Sequence, residues 1–177
     1  MIDFNIISDH NICDKQKYRK SIILRSSIML KNTYHSAIYL GKGQVEVREV
    51  PVPPLGDCDV LVENLYSSIC GTDIAVYRHG ADTGHRITAG GEFGHETVSR
   101  IAAVGKKVKD FSVGERVYPY PLYARGDTRR AGTIGGFSEY IKIPDAKKNH
   151  SLYLVDAAIS DKAACLIEPF TLVLKKS

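Results

Sequence analysis

Across residues 34–154 no β-forming run extends far before a glycine or proline interrupts it, and this punctuation restricts the fold more than any other feature. Residues 34–40 are rich in β-formers, residues 41–43 read Gly-Lys-Gly, and in residues 44–50 Val45 and Val47 alternate with Glu46 and Arg48. Period-two alternation marks a strand with one buried face, so the segment predicts a hairpin. Pro51, Pro53 and Pro54 end it, because proline cannot donate to a ladder. Residues 59–69, with Val60, Leu61, Val62, Leu65 and Ile69, predict a buried strand. Residues 98–104, closed by Gly105, then 113–118, 137–143, closed by Pro144, and 152–154 predict further strands. Many short strands joined by glycine turns predict a mainly β fold of the barrel type, with short helices between strands.

Two helices are expected. Thr72 can cap one over residues 73–79, stopped by Gly80, with residues 81–89 as a loop leading to a cluster of glycines. Ser160 can cap another over residues 161–167, which Pro169 terminates. Residues 119–136, polar and bearing Arg125, Arg129 and Arg130, predict an exposed loop.

A chain of 177 residues is long enough for one domain with a core and short for two. The net charge of +4 is spread over 24 basic and 20 acidic residues with no basic stripe interleaved with aromatics, which argues against nucleic-acid binding. Apolar runs such as Ile22-Ile23-Leu24 fall far below the roughly 20 residues a membrane helix needs. Cys13, Cys58, Cys70 and Cys165 include no CxxC pair, so no disulfide framework is expected and a reducing cytoplasm fits. Cys58 and Cys165 read as packing residues and Cys13 as inert. Residues 1–28, mixing Asp3, Asp9 and Asp14 with Lys15, Lys17 and Arg19, resemble neither a signal nor a transit peptide and predict a disordered extension.

The chemistry concentrates in Gly90-Gly91-Glu92-Phe93-Gly94-His95-Glu96, where glycines free the backbone to turn beside a histidine and a carboxylate. Cys70 lies at the exit of the strand over residues 59–69, and Glu168 follows the second helix. Thiolate, imidazole and carboxylate are all zinc-ligand types. Each residue alone also has a structural reading: Cys70 as a small buried hydrophobe, His95 as a hydrogen-bonded core histidine, Glu96 as an ion-pair partner. Neighbours on a strand point to opposite faces, so His95 and Glu96 can share a metal only where the backbone is irregular. Glu168, read as sitting at a helix carboxyl end, opposes the helix dipole and calls for a compensating cation.

Cys-Gly-Thr-Asp at 70–73, Gly-His-Glu at 94–96, Gly-Glu-Arg-Val at 114–117, Gly-Gly-Phe-Ser-Glu-Tyr at 135–140 and Leu-Ile-Glu-Pro at 166–169 occur in an order that resembles the zinc-dependent medium-chain alcohol and polyol dehydrogenases. The last motif is similar to the sorbitol and threonine dehydrogenase branch. The resemblance spans residues 30–174 and implies a GroES-like, partly open β-barrel over residues 29–170. It makes Cys70 and His95 zinc ligands, Glu96 a direct or supporting carboxylate, Glu168 a residue completing the site, and Thr72 the hydroxyl that passes the alcohol proton outward. A small alcohol, polyol or amino-alcohol would be oxidised by hydride transfer to NAD(P).

Three departures qualify the resemblance. Ser99 stands where the family signature has glycine, and Ala75 where many members carry a histidine that finishes the proton relay. Residues 119–136 lack the four cysteines that hold a structural zinc in many relatives, so one zinc is expected. The Rossmann domain that follows this half in the family is missing: no G-x-G-x-x-G occurs, and residues 171–177 would begin the connection to it. The isolated chain is therefore expected to be inactive, with exposed apolar surface that favours a homo-oligomer. The alternatives are a non-catalytic zinc-binding or protein-interaction domain and the remnant of an interrupted gene.

Overall fold

The computed structural model describes residues 32–83, 85–125 and 132–174. The expected extension over residues 1–28 and Arg129 and Arg130 lie outside them. Eight strands, β1 (Thr33–Gly41), β2 (Gln44–Pro51), β3 (Val60–Ser68), β4 (Gly91–Glu92), β5 (Glu96–Val104), β6 (Arg116–Pro119), β7 (Tyr140–Ile143) and β8 (Leu152–Leu154), alternate with three short helices. The helices are α1 (Gly71–His79), α2 (Asp161–Ala164) and α3 (Ile167–Leu174), with one turn of 3₁₀ helix over Ala81–Thr83. None is long and apolar enough to cross a membrane.

The strands form a three-stranded sheet in the order β2-β1-β4 and a five-stranded sheet in the order β7-β3-β5-β6-β8, and every named pairing is antiparallel. Residues 137–139 stitch the sheets together. The amide of Ala37 donates to Phe137, that of Glu139 to His35, and that of Asn64 to Glu139. With the Ser36–Ser138 bridge, this draws β1 alongside β3 and closes most of a barrel. No further strand continues beyond β2 or β8 among the described residues, so the barrel is partly open.

Its main core is Val60 and Val62 of β3, Ile101 of β5, Val117 of β6 and Ile141 and Ile143 of β7, with Phe111, Ile134 and Leu152. Leu61 points the other way, to Tyr34, Ala102 and Tyr140, so this end of β3 is covered on both faces, as its unbroken apolar run predicts. Val47 is the exception in the hairpin: Val45 and Val50 pack against cores, whereas Val47 is 72 % exposed.

The structure shifts several expected boundaries. β6 and β7 begin later than residues 113 and 137, because residues 112–115 and 135–138 are turns closed by the bonds from Glu115 to Ser112 and from Ser138 to Gly135. α1 begins at Gly71, with Cys70 at the N-cap and Thr72 already inside the first turn. The reason is Asp73, whose carboxylate accepts the Cys70 amide at 3.0 Å and fixes the helix entry one residue pair early. Ser160 does cap α2, accepting from the Ala163 amide at 3.3 Å. The helix then breaks at Cys165 and Leu166, and Pro169 lies in the first turn of α3. A first-turn proline sacrifices no intrahelical bond, so this residue opens a helix where the sequence suggested an end. Cys70 and Cys165 are free thiols.

Candidate metal centre

Three chain reversals bring the site together. β3 delivers Cys70 to the N-terminus of α1. Gly94 turns the chain into β5 with φ of 86°, and a Cβ there would meet the Phe137 ring at 2.8 Å, so no other residue fits. A Cβ on Gly136 would strike the His95 amide at 2.7 Å. His95 thus precedes the regular strand and Glu96 opens it, which is the irregularity that lets neighbours converge. One donor atom each from Cys70, His95 and Glu96 lie within 4.8 Å of one another.

The surroundings orient these donors. Asp73 is buried and joins two of them, accepting the Cys70 amide through one oxygen and His95 Nδ1 through the other, each at 3.0 Å. With Nδ1 committed to a carboxylate, His95 presents Nε2 to the site. Glu96 accepts the Ser68 hydroxyl, and its other oxygen lies 4.0 Å from His95 Nε2. His85 Nε2 stands 3.1 Å from His95 Nε2 and 2.6 Å from Thr72 Oγ1, its ring tilted against that of His95 at 3.8 Å between centroids.

Glu168 is half-buried beside this group and does not itself fall in the three-donor cluster. It sits in the first turn of α3, where the dipole favours a carboxylate. That reverses the carboxyl-end position inferred from Pro169. Burial pushes the Glu168 carboxyl up, His95 opposes the rise, and Glu96 and Asp73 add to it. Burial likewise raises the Cys70 thiol, against hydrogen bonding from Thr72 and with Glu96.

The charge balance tests whether a cation fits. His95, Asp73 and Glu96 are only 1 %, 2 % and 3 % exposed, and the ion pairs of both carboxylates among the described residues are with His95. One imidazole cannot neutralise two buried carboxylates with a third beside them, and buried charge without a counter-charge is costly. A divalent ion on a thiolate, an imidazole and a carboxylate resolves the imbalance with donors that suit zinc.

Four features were hidden from the sequence reading or misread in it. Asp73 lies within the quoted Cys-Gly-Thr-Asp motif, and its spacing from Cys70 is that of a capping box, a usable signal. Ser68 had no such signal, and neither did His85, which reaches the site from a loop. Ser99 is a strut: its buried hydroxyl donates to Asn64 Oδ1 at 2.6 Å, while the Asn64 amide holds the carbonyls of Gly135, Gly136 and Ser138.

Residues 56–152 match the model of the alcohol dehydrogenase GroES-like domain. The chain belongs to this family. Among curated relatives, L-threonine 3-dehydrogenase of Yersinia pestis strain Pestoides F is 30 % identical over 138 residues, which cover 69 % of the chain and 39 % of the relative. The protein of the same name from Serratia proteamaculans strain 568 matches equally. The chain thus spans about two fifths of the length of these relatives. A short chain alcohol dehydrogenase from Escherichia coli CFT073 complexed with NADH is similar in structure, with a TM-score of 0.67, 26 % identity and coverage of 81 % of this chain and 44 % of that one. The 2R,3R-butanediol dehydrogenase of Bacillus subtilis shares the fold at a TM-score of 0.64 and 23 % identity, over 77 % and 44 % of the two chains. As a member of the family, the chain is a GroES-like domain of the zinc-dependent alcohol and polyol dehydrogenases.

Proposed function

We propose that this chain supplies the zinc-binding catalytic half of a dehydrogenase that oxidises a small alcohol, polyol or amino-alcohol with NAD(P). The observation that carries the reading is the convergence of Cys70, His95 and Glu96 around one point, with Asp73 fixing two of the three. Cys70, His95 and Glu96 would hold one zinc ion per chain, with Glu168 completing or supporting the set. Bound zinc supplies Lewis acidity, making a substrate hydroxyl easier to deprotonate before hydride leaves the carbon.

Thr72 would accept the hydrogen of a substrate hydroxyl while donating its own to His85 Nε2, 2.6 Å away, in the His85 tautomer that leaves Nε2 unprotonated. Thr72 and His85 form a hydrogen-bonded chain that serves in place of the group missing at Ala75. Residues 29–170 act as the catalytic unit and residues 171–177 lead towards the nucleotide-binding part that relatives of greater length contain. The NADH-complexed structural relative and the threonine dehydrogenases support the cofactor and substrate class. A cytoplasmic setting fits, because a ligand thiol at Cys70 must stay reduced.

Metal analysis tests the reading. The chain is expected to retain one equivalent of zinc after dialysis, and a Cys70→Ala variant to retain none. Equal zinc in both would remove the metal centre from the account.

A further inference from the structure

Strand β2 ends its sheet with an edge that meets no further strand among the described residues. Its register with β1 shows which main-chain groups that edge offers. In β1 the Ala37 amide donates to Phe137 and the Ala37 carbonyl accepts from Phe93, while the carbonyls of His35 and Tyr39 accept from Glu139 and Gly90. These residues turn their main chain away from β2, so the bonds to β2 come from Tyr34, Ser36 and Ile38, opposite Val50, Arg48 and Glu46. Alternation then leaves the amides and carbonyls of Val45, Val47 and Glu49 pointing out of the sheet.

Open edges recruit other strands, and proteins usually blunt them with charge or proline. The charges of β2 do not blunt it against itself. Glu46 and Arg48 flank Val47 with opposite sign, all three are exposed, and Val47 is 72 % so despite its apolar side chain. With a second copy running antiparallel about Val47, that residue meets its counterpart, and Val45 meets Glu49 of the second copy, as hydrogen-bonded pairs through the outward groups. Glu46 then stands opposite Arg48 of the second copy, and Arg48 opposite its Glu46, at the sites where cross-strand side chains come closest. Within one chain the two already pair at 2.9 Å with at least half of each side chain in solvent, so a second copy extends that pair into a ring of alternating charge. Moving the two-fold axis by one residue sets Glu46 or Arg48 against its own copy, and like charges directly opposite destabilise a sheet. Pro51, also on the outward side, has no amide to offer and closes the ladder.

We propose that β2 is a self-recognition edge, through which two copies of the chain form an antiparallel, two-fold dimer centred on Val47 and selected by pairing of Glu46 with Arg48. The contact is isologous, so it uses up both edges and closes at two copies. A single short strand pair is a small interface, which makes the dimer weak and reversible.

Sedimentation equilibrium over a concentration series of the full chain tests this, in a background carrying Phe170→Lys and Val173→Lys so that the exposed apolar groups of α3 do not contribute. The background chain is expected to dimerise. Glu46→Arg and Arg48→Glu should each weaken self-association by at least about tenfold, since each sets like charges opposite one another. An equimolar mixture of those two variants should recover the dimer, because one chain then brings two cations to the pair and the other two anions. Val47→Pro, which removes an outward amide and no bond to β1, should abolish the dimer and leave the thermal melt unchanged. Single charge variants that associate as well as the background chain would overturn the proposal, as would a mixture no stronger than either variant alone. So would a background chain that stays monomeric, which would leave the edge to an extended segment of another protein.

Discussion

At the scale of single residues, the site depends on groups that touch no substrate. Asp73 is the clearest: one buried carboxylate sets both the start of α1 at Cys70 and the tautomer of His95. Asp73→Asn keeps the shape and loses the charge, and should weaken zinc binding by about 10- to 100-fold, read by chelator competition. Gly94 is the second case. Gly94→Ala meets both an unfavourable positive φ and the Phe137 ring, and should destabilise the fold by roughly 2 kcal/mol or more in a denaturant melt. The raised carboxyl of Glu168 gives a pH dependence whose sign is fixed. A carboxyl raised in the fold stabilises the protein while protonated, and that stability is lost as pH rises through the folded value. Metal-free Glu168→Gln should therefore melt higher than the parent at neutral pH and alike at acid pH. Zinc affinity should in turn rise with pH, since the thiol of Cys70, raised by burial, must lose its proton to bind.

At the scale of elements, the strands were readable because alternation and unbroken apolar runs report burial directly, as in β1, β3 and β5. Their ends were not, because turns at residues 112–115 and 135–138 carry strand-like residues and are set by hydrogen bonds between distant segments. The helix after Ser160 shows the same limit. Proline is equally at home in a first turn and after a last one, and here Ile167, which opens α3, packs against the cluster of Val98, Ala164 and Cys165. The ligand residues were legible as an ordered motif. Their support from His85 and Ser68 was not, since these approach from a loop and a strand end with no regular spacing. One consequence is measurable: Pro169→Ala should cost less than about 1 kcal/mol and leave helix content by circular dichroism unchanged, because Pro169 neither ends α3 nor supplies a needed donor.

At the scale of the whole molecule, the barrel is held open at one side, and α3 projects Phe170, Val173 and Leu174 into solvent at 62 %, 68 % and 73 % exposure. Ile69, beside Cys70, is 72 % exposed as well. Apolar groups in this density seek cover. Sedimentation velocity on the chain should show concentration-dependent association, reduced in a Phe170→Lys, Val173→Lys variant.

All three scales meet at the three donors, and cobalt(II) titration of the chain tests them most directly. Cobalt on a thiolate, an imidazole and a carboxylate should give a thiolate charge-transfer band together with the visible absorption of a four-coordinate ion, saturating at one equivalent. Cys70→Ser should abolish the charge-transfer band and His95→Ala should abolish tight binding. A spectrum without the thiolate band, or one that survives Cys70→Ser, would contradict the central claim.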